Sequence, residues 1–376
     1  MMDLDDTLAK LLKPTAPISK GSPVRALPEA PAWASATRER VPFERLMWLD
    51  GQLVTGGFPS MSPWWRAELS RFYASGKRWG VYLVGRGGGK STTLTRVAVA
   101  ESLFTERAVP PGQRWIWPFV SVGTADSRRR ITEIGAILRA IGVEAEAKQI
   151  QGQPTIATED ARGNAIAFVA IAGTISAVSG PTSIGATIDE EAKLKDRDSN
   201  ANPARELIAS ILQTFRARPG IRGIRCSSAW DEKSSHAAAV HEGDTEANHV
   251  GRIGLAFLDA ARDGFLDVAA WEEQHNDVNA AKTIRVYATT LTAESPRIPT
   301  WLANPTIGAV ASRLEVEAVP ATALGGMSRT AYWLRENGSV TSSPKVERTG
   351  VDRASWAGFL ELNATMPAPP FDVEIA

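Results

Sequence analysis

Val84-Gly85-Arg86-Gly87-Gly88-Gly89-Lys90-Ser91 is a glycine run closed by a lysine and a hydroxyl, the residue types that bind polyphosphate. Glycines let successive backbone N–H groups turn inward at phosphate oxygens, and a helix beginning beyond them adds the positive end of its dipole. Lys90 is placed to reach the β- and γ-phosphates of a nucleotide, and Ser91 to ligate Mg²⁺. Gly85, Arg86, Gly87, Gly88, Gly89, Lys90, Ser91 and Thr92 are the candidate contact set for ATP. Against the pattern G-x-x-x-x-G-K-[ST], Val84 stands where the first glycine belongs and Gly85 comes one place late, while the Gly-Lys-Ser core is intact. A glycine-rich turn with an incidental lysine is the competing reading. The order strand, glycine run, Lys-Ser, helix favours binding.

Hydrolysis needs a second element, a carboxylate at the end of a neighbouring strand that holds the magnesium shell and another that orients water. Ile184-Gly185-Ala186-Thr187-Ile188-Asp189-Glu190-Glu191 supplies both, with Asp189 as magnesium partner and Glu190 as general base. Glu191 reads as a helix-start or surface residue. Standing alone, the acidic run would read as a helix N-terminal turn favoured by the dipole. Lys90 about one hundred residues earlier supports the catalytic reading. Ser227-Ser228, at the end of a later strand, fits either a γ-phosphate sensor or a plain turn. Asp231-Glu232, Asp244, Glu246 and Asp259 lie in polar surroundings where solvated charge is the default. His236, His241 and His249 are spaced too irregularly for a metal set.

The elements that must position these groups alternate. Pro63-Trp64-Trp65-Arg66 starts a helix running toward Phe72, then Trp79 to Leu83 is a strand and Thr92 to Phe104 a helix. Trp115 to Val122 reads as a strand, Asp126 to Ile141 as a helix, and Ala165 to Ile171 and Gly185 to Ile188 as strands. Pro203 to Phe215 is a helix and Gly223 to Ser227 a strand. The alternation predicts an α/β fold with a predominantly parallel sheet flanked by helices and, taken with the glycine run, one of the P-loop NTPase type. Residues 1–40, rich in Pro, Ala and Ser with one short helix at Leu4 to Leu12, read as a flexible arm. Residues 41–258 form the expected core and 346–376 a linker. Beyond Trp230 the signal weakens into loop-like sequence. Leu266 to His275, Arg313 to Val319 and Ser328 to Glu336 are helix candidates there, and Ile284 to Leu291 a strand.

The 376 residues carry 42 Lys+Arg against 42 Asp+Glu, so no global basic field announces a nucleic-acid partner, and any such surface must be a local patch. One cysteine, Cys226, cannot form an internal disulfide. The acidic start, Met1-Met2-Asp3-Leu4-Asp5-Asp6, is unlike a signal peptide, and no apolar run reaches about 18 residues. A soluble, intracellular protein with no membrane partner is expected.

In this order the motifs resemble the large terminase subunit of tailed bacteriophages, the DNA-packaging motor. The deviant loop Gly85 to Ser91 with Arg86, Ile188-Asp189-Glu190-Glu191-Ala192 preceded by Ser179-Gly180-Pro181, and Cys226-Ser227-Ser228-Ala229-Trp230 are similar to that family's two ATPase motifs and its coupling motif. Trp301-Leu302-Ala303-Asn304-Pro305 with Gly308, followed by Arg329 to Asn337, is similar to its lid signature, and the resemblance implies a small lid subdomain and core extension over 259–345. The resemblance implies ATP hydrolysis coupled to translocation of double-stranded DNA into a procapsid, in the host cytoplasm. It implies a ring of copies of the chain, pentameric in the family, working with a portal protein and a small terminase subunit. Arg86 would contact the γ-phosphate or reorient with nucleotide state, and Ser227-Ser228 would pass γ-phosphate loss to the lid.

Three departures stand out. The family's adenine-reading glutamine has no counterpart in Ser62 to Arg66, leaving Trp64, Trp65 or Arg66 as stacking substitutes. No arginine finger precedes the acidic motif, so Arg128, Arg129, Arg130, Arg197 and Arg205 are the remaining candidates, although an arginine cluster such as 128–130 is commonly a solvated helix face. Phe371-Asp372-Val373-Glu374-Ile375-Ala376 is similar to the first strand of the family's nuclease domain, and the chain is expected to be the motor portion without nuclease activity. A helicase-like or remodelling ATPase, or a nucleotide-binding ring-assembly subunit with little turnover, are the alternatives.

Overall fold

A computed structural model describes residues 41–104, 114–150, 152–172, 183–194, 203–215, 221–230 and 233–254, with single positions 322, 332, 335, 336, 338 and 339. The 1–40 arm, Ser179-Gly180-Pro181, Arg197, the elements expected at 266–275, 284–291 and 313–319, the 301–308 signature and the 346–376 linker lie outside the described residues. Of Ser328 to Glu336, Tyr332, Arg335 and Glu336 are described, and all three are helical.

The described elements are α1 (Phe43–Thr55), α2 (Pro63–Ser75), β1 (Trp79–Leu83), α3 (Lys90–Leu103), β2 (Trp115–Ser121), α4 (Thr124–Ala140), β3 (Glu146–Ile150), β4 (Gln153–Glu159) and β5 (Ala165–Ala172). There follow β6 (Ala186–Asp189), a 3₁₀ turn (Glu191–Lys193), α5 (Pro203–Phe215), β7 (Gly223–Ser227), α6 (Ser235–Glu242) and β8 (Asn248–Arg252). One eight-stranded sheet runs in the order β3-β4-β5-β2-β6-β7-β1-β8. The pairs β1–β8, β2–β5 and β2–β6 are parallel, while β3–β4 and β4–β5 are antiparallel. The sheet is therefore mostly parallel, as the alternation predicts, with a meander at one edge whose β5 matches the strand expected at Ala165 to Ile171 and whose β3 and β4 carry no sequence expectation.

The chain clusters into two units, residues 1–60, 91–189 and 194–224, and residues 61–90, 190–193 and 225–376. In the first, β2 is buried along its whole length, as a strand flanked in its sheet by β5 and β6 must be. Trp117 at its centre donates its indole N–H to Thr187 Oγ1 at 3.0 Å. Gly185 lies under that ring, and a Cβ there would meet Trp117 at 2.1 Å and the Arg222 carbonyl at 2.6 Å, so only glycine fits. α4 packs on β2 and β5, with Ser127 Oγ donating to the Ile171 carbonyl at 3.0 Å. Two buried ion pairs serve α3: Arg96 with Asp50 of α1 at 2.8 Å, and Glu101 with Arg222 at 3.0 Å.

In the second unit α2 is signposted at both ends. Ser62 Oγ accepts the Trp65 N–H, Pro63 opens the helix, and Gly76 at φ 71° closes it in the left-handed region. Its buried face brings Trp64, Trp65 and Phe72 against Tyr82 of β1. Edge strand β8 pairs with β1 from Trp79↔Asn248 to Leu83↔Arg252. His249 of β8 lies 3.3 Å from Glu68 and 3.7 Å from Asp244. Burial alone would lower its pKa, but hydrogen bonds and charge from these two carboxylates raise it instead. α6 is capped by Ser234, whose Oγ accepts the Ala237 N–H at 3.1 Å.

Candidate nucleotide site

The glycine run joins β1 to α3 as a tight turn. Gly87 and Gly89 have φ of 73° and 71°, a region glycine enters without Cβ strain. The Gly88 N–H donates to the Gly85 carbonyl at 3.2 Å, and the Val84 N–H donates to the Ser227 carbonyl at 3.0 Å. From below, the Trp65 indole N–H donates to the Gly88 carbonyl at 2.7 Å, fixing the apex of the turn.

Lys90 opens α3 and is buried, its ammonium folded back into the loop. Nζ donates to the carbonyls of Val84 and Gly85 and to Ser228 Oγ, each at 3.0 Å, and lies 3.6 Å from Glu190 Oε1. Three donors, three acceptors: the ammonium is saturated by groups that a phosphate can replace.

Glu190 follows β6 in the left-handed region at φ 56°. For a non-glycine residue this costs about 1–2 kcal/mol and persists where the surroundings over-determine it. Its Oε1 accepts from Ser228 Oγ at 3.1 Å, and its Oε2 from the Ser228 N–H at 3.2 Å and Ser227 Oγ at 3.4 Å, with Lys193 Nζ at 3.2 Å. Desolvation would raise its pKa, but the charges of Lys90 and Lys193 and the hydrogen bonds from Lys193 and the Ser228 amide hold it at about 2. Ser228 thus bridges Lys90 and Glu190, accepting from one and donating to the other.

Lys90, Glu190, Ser227 and Ser228, drawn from three separate stretches of sequence, meet within hydrogen-bonding reach. Asp189, buried at the end of β6, accepts from Arg130 Nε at 3.2 Å, and Arg130 Nη1 donates to Glu133 at 2.9 Å. Arg130 is therefore engaged by carboxylates of its own chain, which a finger reaching into a neighbouring subunit would have to leave. Arg128 is half-buried, and Arg129 and Arg205 are exposed. Ser91 and Thr92 are half-buried in the first turn of α3. Arg86 is exposed, with Nη1 donating to Tyr332 Oη at 3.0 Å and its N–H to the Glu336 carbonyl.

Two expectations are corrected. Glu191 begins the 3₁₀ turn but is no surface residue: it is fully buried, its carboxylate gripped by Arg225 through two bonds of 2.7 Å. Trp64 and Trp65 are 3% and 0% exposed, so neither presents a face to a base, and the Trp65 N–H is committed to Gly88. Tryptophan spacing alone does not separate a stacking platform from a loop support. Trp230, the last residue of the motif read at Cys226 to Trp230, has its ring 4.5 Å from the Arg335 guanidinium and 5.4 Å from Lys193 Nζ.

Among the described residues no group of three or more His, Cys, Asp or Glu could hold a metal by itself. The Ser91 hydroxyl and the Asp189 carboxylate are instead the sparse hard-oxygen donors that suit Mg²⁺, an ion that takes one or two protein ligands and completes its shell with phosphates and water. The donor chemistry fits a magnesium ion arriving with its nucleotide.

No family model and no curated protein matches the sequence. Among solved structures, the large terminase of bacteriophage HK97 aligns at a TM-score of 0.54 and 11% identity, over 80% of this chain and 55% of that one. The fold is that of a phage large terminase. The large terminase ATPase domain of Thermus phage P74-26 aligns at 0.38, with 13% identity, over 55% of this chain and 90% of that one. The large terminase of the thermophilic bacteriophage D6E in complex with ADP aligns at 0.37, with 12% identity, over 55% and 47%. At those scores only the HK97 alignment bears on the fold. The terminase fold places the turn after β1 and the acidic end of β6 at carboxyl ends of strands, where open α/β sheets bind ligands. No described helix is long and apolar enough to cross a membrane.

Proposed function

We propose that this chain is the ATPase portion of a phage large terminase, hydrolysing ATP to translocate double-stranded DNA into a procapsid. The observation that carries the reading is the Lys90–Ser228–Glu190 relay, in which the loop lysine and the candidate base share one hydroxyl. A triphosphate carries several charges where Glu190 carries one, so it outcompetes the carboxylate for Lys90. As Lys90 turns to the β- and γ-phosphates, Glu190 loses the charge that does most to hold its pKa at about 2. The carboxylate becomes more basic when a nucleotide is present to be attacked, and general-base assistance of this kind contributes on the order of 10²–10⁴-fold.

Ser91 and Asp189 would hold Mg²⁺, which supplies neutralisation of phosphate charge. For Asp189 this would mean exchanging its Arg130 contact. Ser228 contacts both the base and the lysine and Ser227 the base, so departure of the γ-phosphate would return Lys90 to Ser228 and change the hydrogen bonding at the end of β7. Arg86, bonded to Tyr332 and to the Glu336 carbonyl, would carry loop state to the expected lid. DNA would be gripped through phosphates without base readout, by loops of a ring of copies of this chain. A portal protein and a small terminase subunit are the expected partners, in the host cytoplasm.

The test is DNA-stimulated ATPase activity of the full chain with two variants. Glu190→Gln is expected to abolish turnover and retain Mg-ATP binding, and Lys90→Ala to lose nucleotide binding. An assembly subunit would show Glu190→Gln unchanged in both respects. Nucleotide binding that survives Lys90→Ala would remove the site itself.

A further inference from the structure

Glu191 follows the proposed base and is absent from the chemistry described above. Its fully buried carboxylate accepts Arg225 Nε on Oε2 and Arg225 Nη2 on Oε1, both at 2.7 Å, and Ser235 Oγ on Oε1 at 2.8 Å. The fork is bidentate, the arrangement that fixes orientation as well as charge. Arg225 lies two residues before Ser227 on β7, so the two side chains share a face of the strand. That face and the strand end hold three consecutive residues: Glu191 through Arg225, Ala192 through its N–H to Ser227 Oγ at 3.2 Å, and Glu190 through Ser227 and Ser228. A 2.9 Å bond from the Lys193 N–H to the Glu190 carbonyl closes the turn. The carboxylate pair is split by this grip: Glu190 stays about a quarter exposed, while Glu191 is wholly enclosed.

We propose that Glu191 and Arg225 are positioning residues that hold Glu190 in its left-handed conformation with its carboxylate at the end of β7. The proposal rests on the reading of Glu190 as the base. The individual bonds to the Glu190 side chain are exchangeable, involving two hydroxyls, one amide and two lysines. The fork on the next residue is the fixed point. With residue 191 locked to β7 and 192 bonded to Ser227, the backbone of 190 has little freedom to relax from φ 56°. Once the fork is broken, the strained residue can relax and carry its carboxylate away from the attacking water. Because the glycine run and Lys90 contribute no atom to the fork, nucleotide affinity is expected to be preserved.

The test uses the full chain, measuring kcat and KM for ATP well below the melting temperature, the Kd of Mg-ADP by calorimetry, and amide exchange at Ala192. Glu191→Gln keeps shape and removes the charge. It is expected to lower kcat by about 10- to 100-fold, the scale of a small misplacement of a reacting group, with Kd changed less than about twofold and faster Ala192 exchange. Ser235→Ala, which removes one bond and leaves the fork, is expected to lower kcat about threefold in the same sense. Arg225→Lys, keeping charge without the fork, is expected to resemble Glu191→Gln rather than the wild type. A folded Glu191→Gln or, if that variant does not fold, a Ser235→Ala with wild-type kcat and Ala192 exchange overturns the proposal. So does a loss in which kcat and Kd move together. If wild type and Glu190→Gln hydrolyse ATP equally, the base assignment has failed, and unchanged Ala192 exchange then still refutes the grip on the turn.

Discussion

Glu190 and Glu191 are chain neighbours of identical chemistry that meet opposite surroundings. Glu190 faces the phosphate loop, partly exposed, with partners that a ligand can take away: Lys90, Lys193 and two serines. Glu191 faces the interior, where one guanidinium and one hydroxyl supply three hydrogen bonds and no solute can compete. Both pKa values are held below the usual carboxylate range against burial, Glu190 by two lysine charges and Glu191 chiefly by Arg225. Depressed pKa alone therefore does not mark a reactive group. Replaceable partners do.

The largest effect that would separate the two carboxylates is on turnover. Glu190→Gln is expected to lower kcat by about 10²–10⁴ while costing less stability than loss of the enclosed Glu191 pair, since the amide keeps the shape and can still bond the two serines. Comparable activity in this variant would erase the distinction. On stability the ranking inverts. Arg225→Ala leaves the Glu191 carboxylate buried without its cation and is expected to cost about 3–5 kcal/mol in chemical denaturation. A shift under about 1 kcal/mol would mean that water reaches the buried side after all.

A third measurement concerns pH on the buried side. His236, fully enclosed near Glu191 and Arg225, is held to a pKa of about 4 by desolvation, from an ordinary 6.5. Between those values the unfolded chain binds a proton that the folded chain refuses, so stability falls as pH drops from 6.5 to 4 and rises again with pH through the same window. His236→Gln is expected to flatten that slope, worth up to about 3 kcal/mol across the window, in denaturant midpoints taken between pH 4 and 7. A slope left intact would assign the pH dependence elsewhere. The smallest effect is on the exchangeable side: Trp65→Phe removes the bond to the Gly88 carbonyl and is expected to cost about 1 kcal/mol and to weaken nucleotide binding several-fold. An unchanged Kd would mean that the loop holds its shape unaided.

Much of the exchangeable side was legible in the sequence and little of the buried side was. β1 and β7 coincide with the apolar runs read at Trp79 to Leu83 and Gly223 to Ser227, and α3 and α5 with their helical patterns, because each is marked by residue types within its own span. The loop and the acidic strand end announce themselves through residue types that phosphate chemistry requires. β8 reads Asn-His-Val-Gly-Arg, a sequence with weak strand character, and is a strand through its pairing with β1. β3 is mostly exposed and polar, made a strand by β4 beside it. The fate of Glu191 was hidden because its partner comes 34 residues later, a distance over which residue type carries no sign of contact. Trp65 was misread for a similar reason, its role being set by a carbonyl 23 residues on.

That carbonyl has a thermodynamic consequence. A glycine-rich turn that must be ordered by its ligand spends part of the binding free energy on lost chain freedom, about 1–2 kcal/mol for each residue fixed. With the Gly88 apex already tied to an indole that is itself locked among Trp64 and Tyr82, much of that ordering is complete in the folded protein. The entropic cost of receiving a nucleotide is then carried by folding, once, rather than by every catalytic cycle.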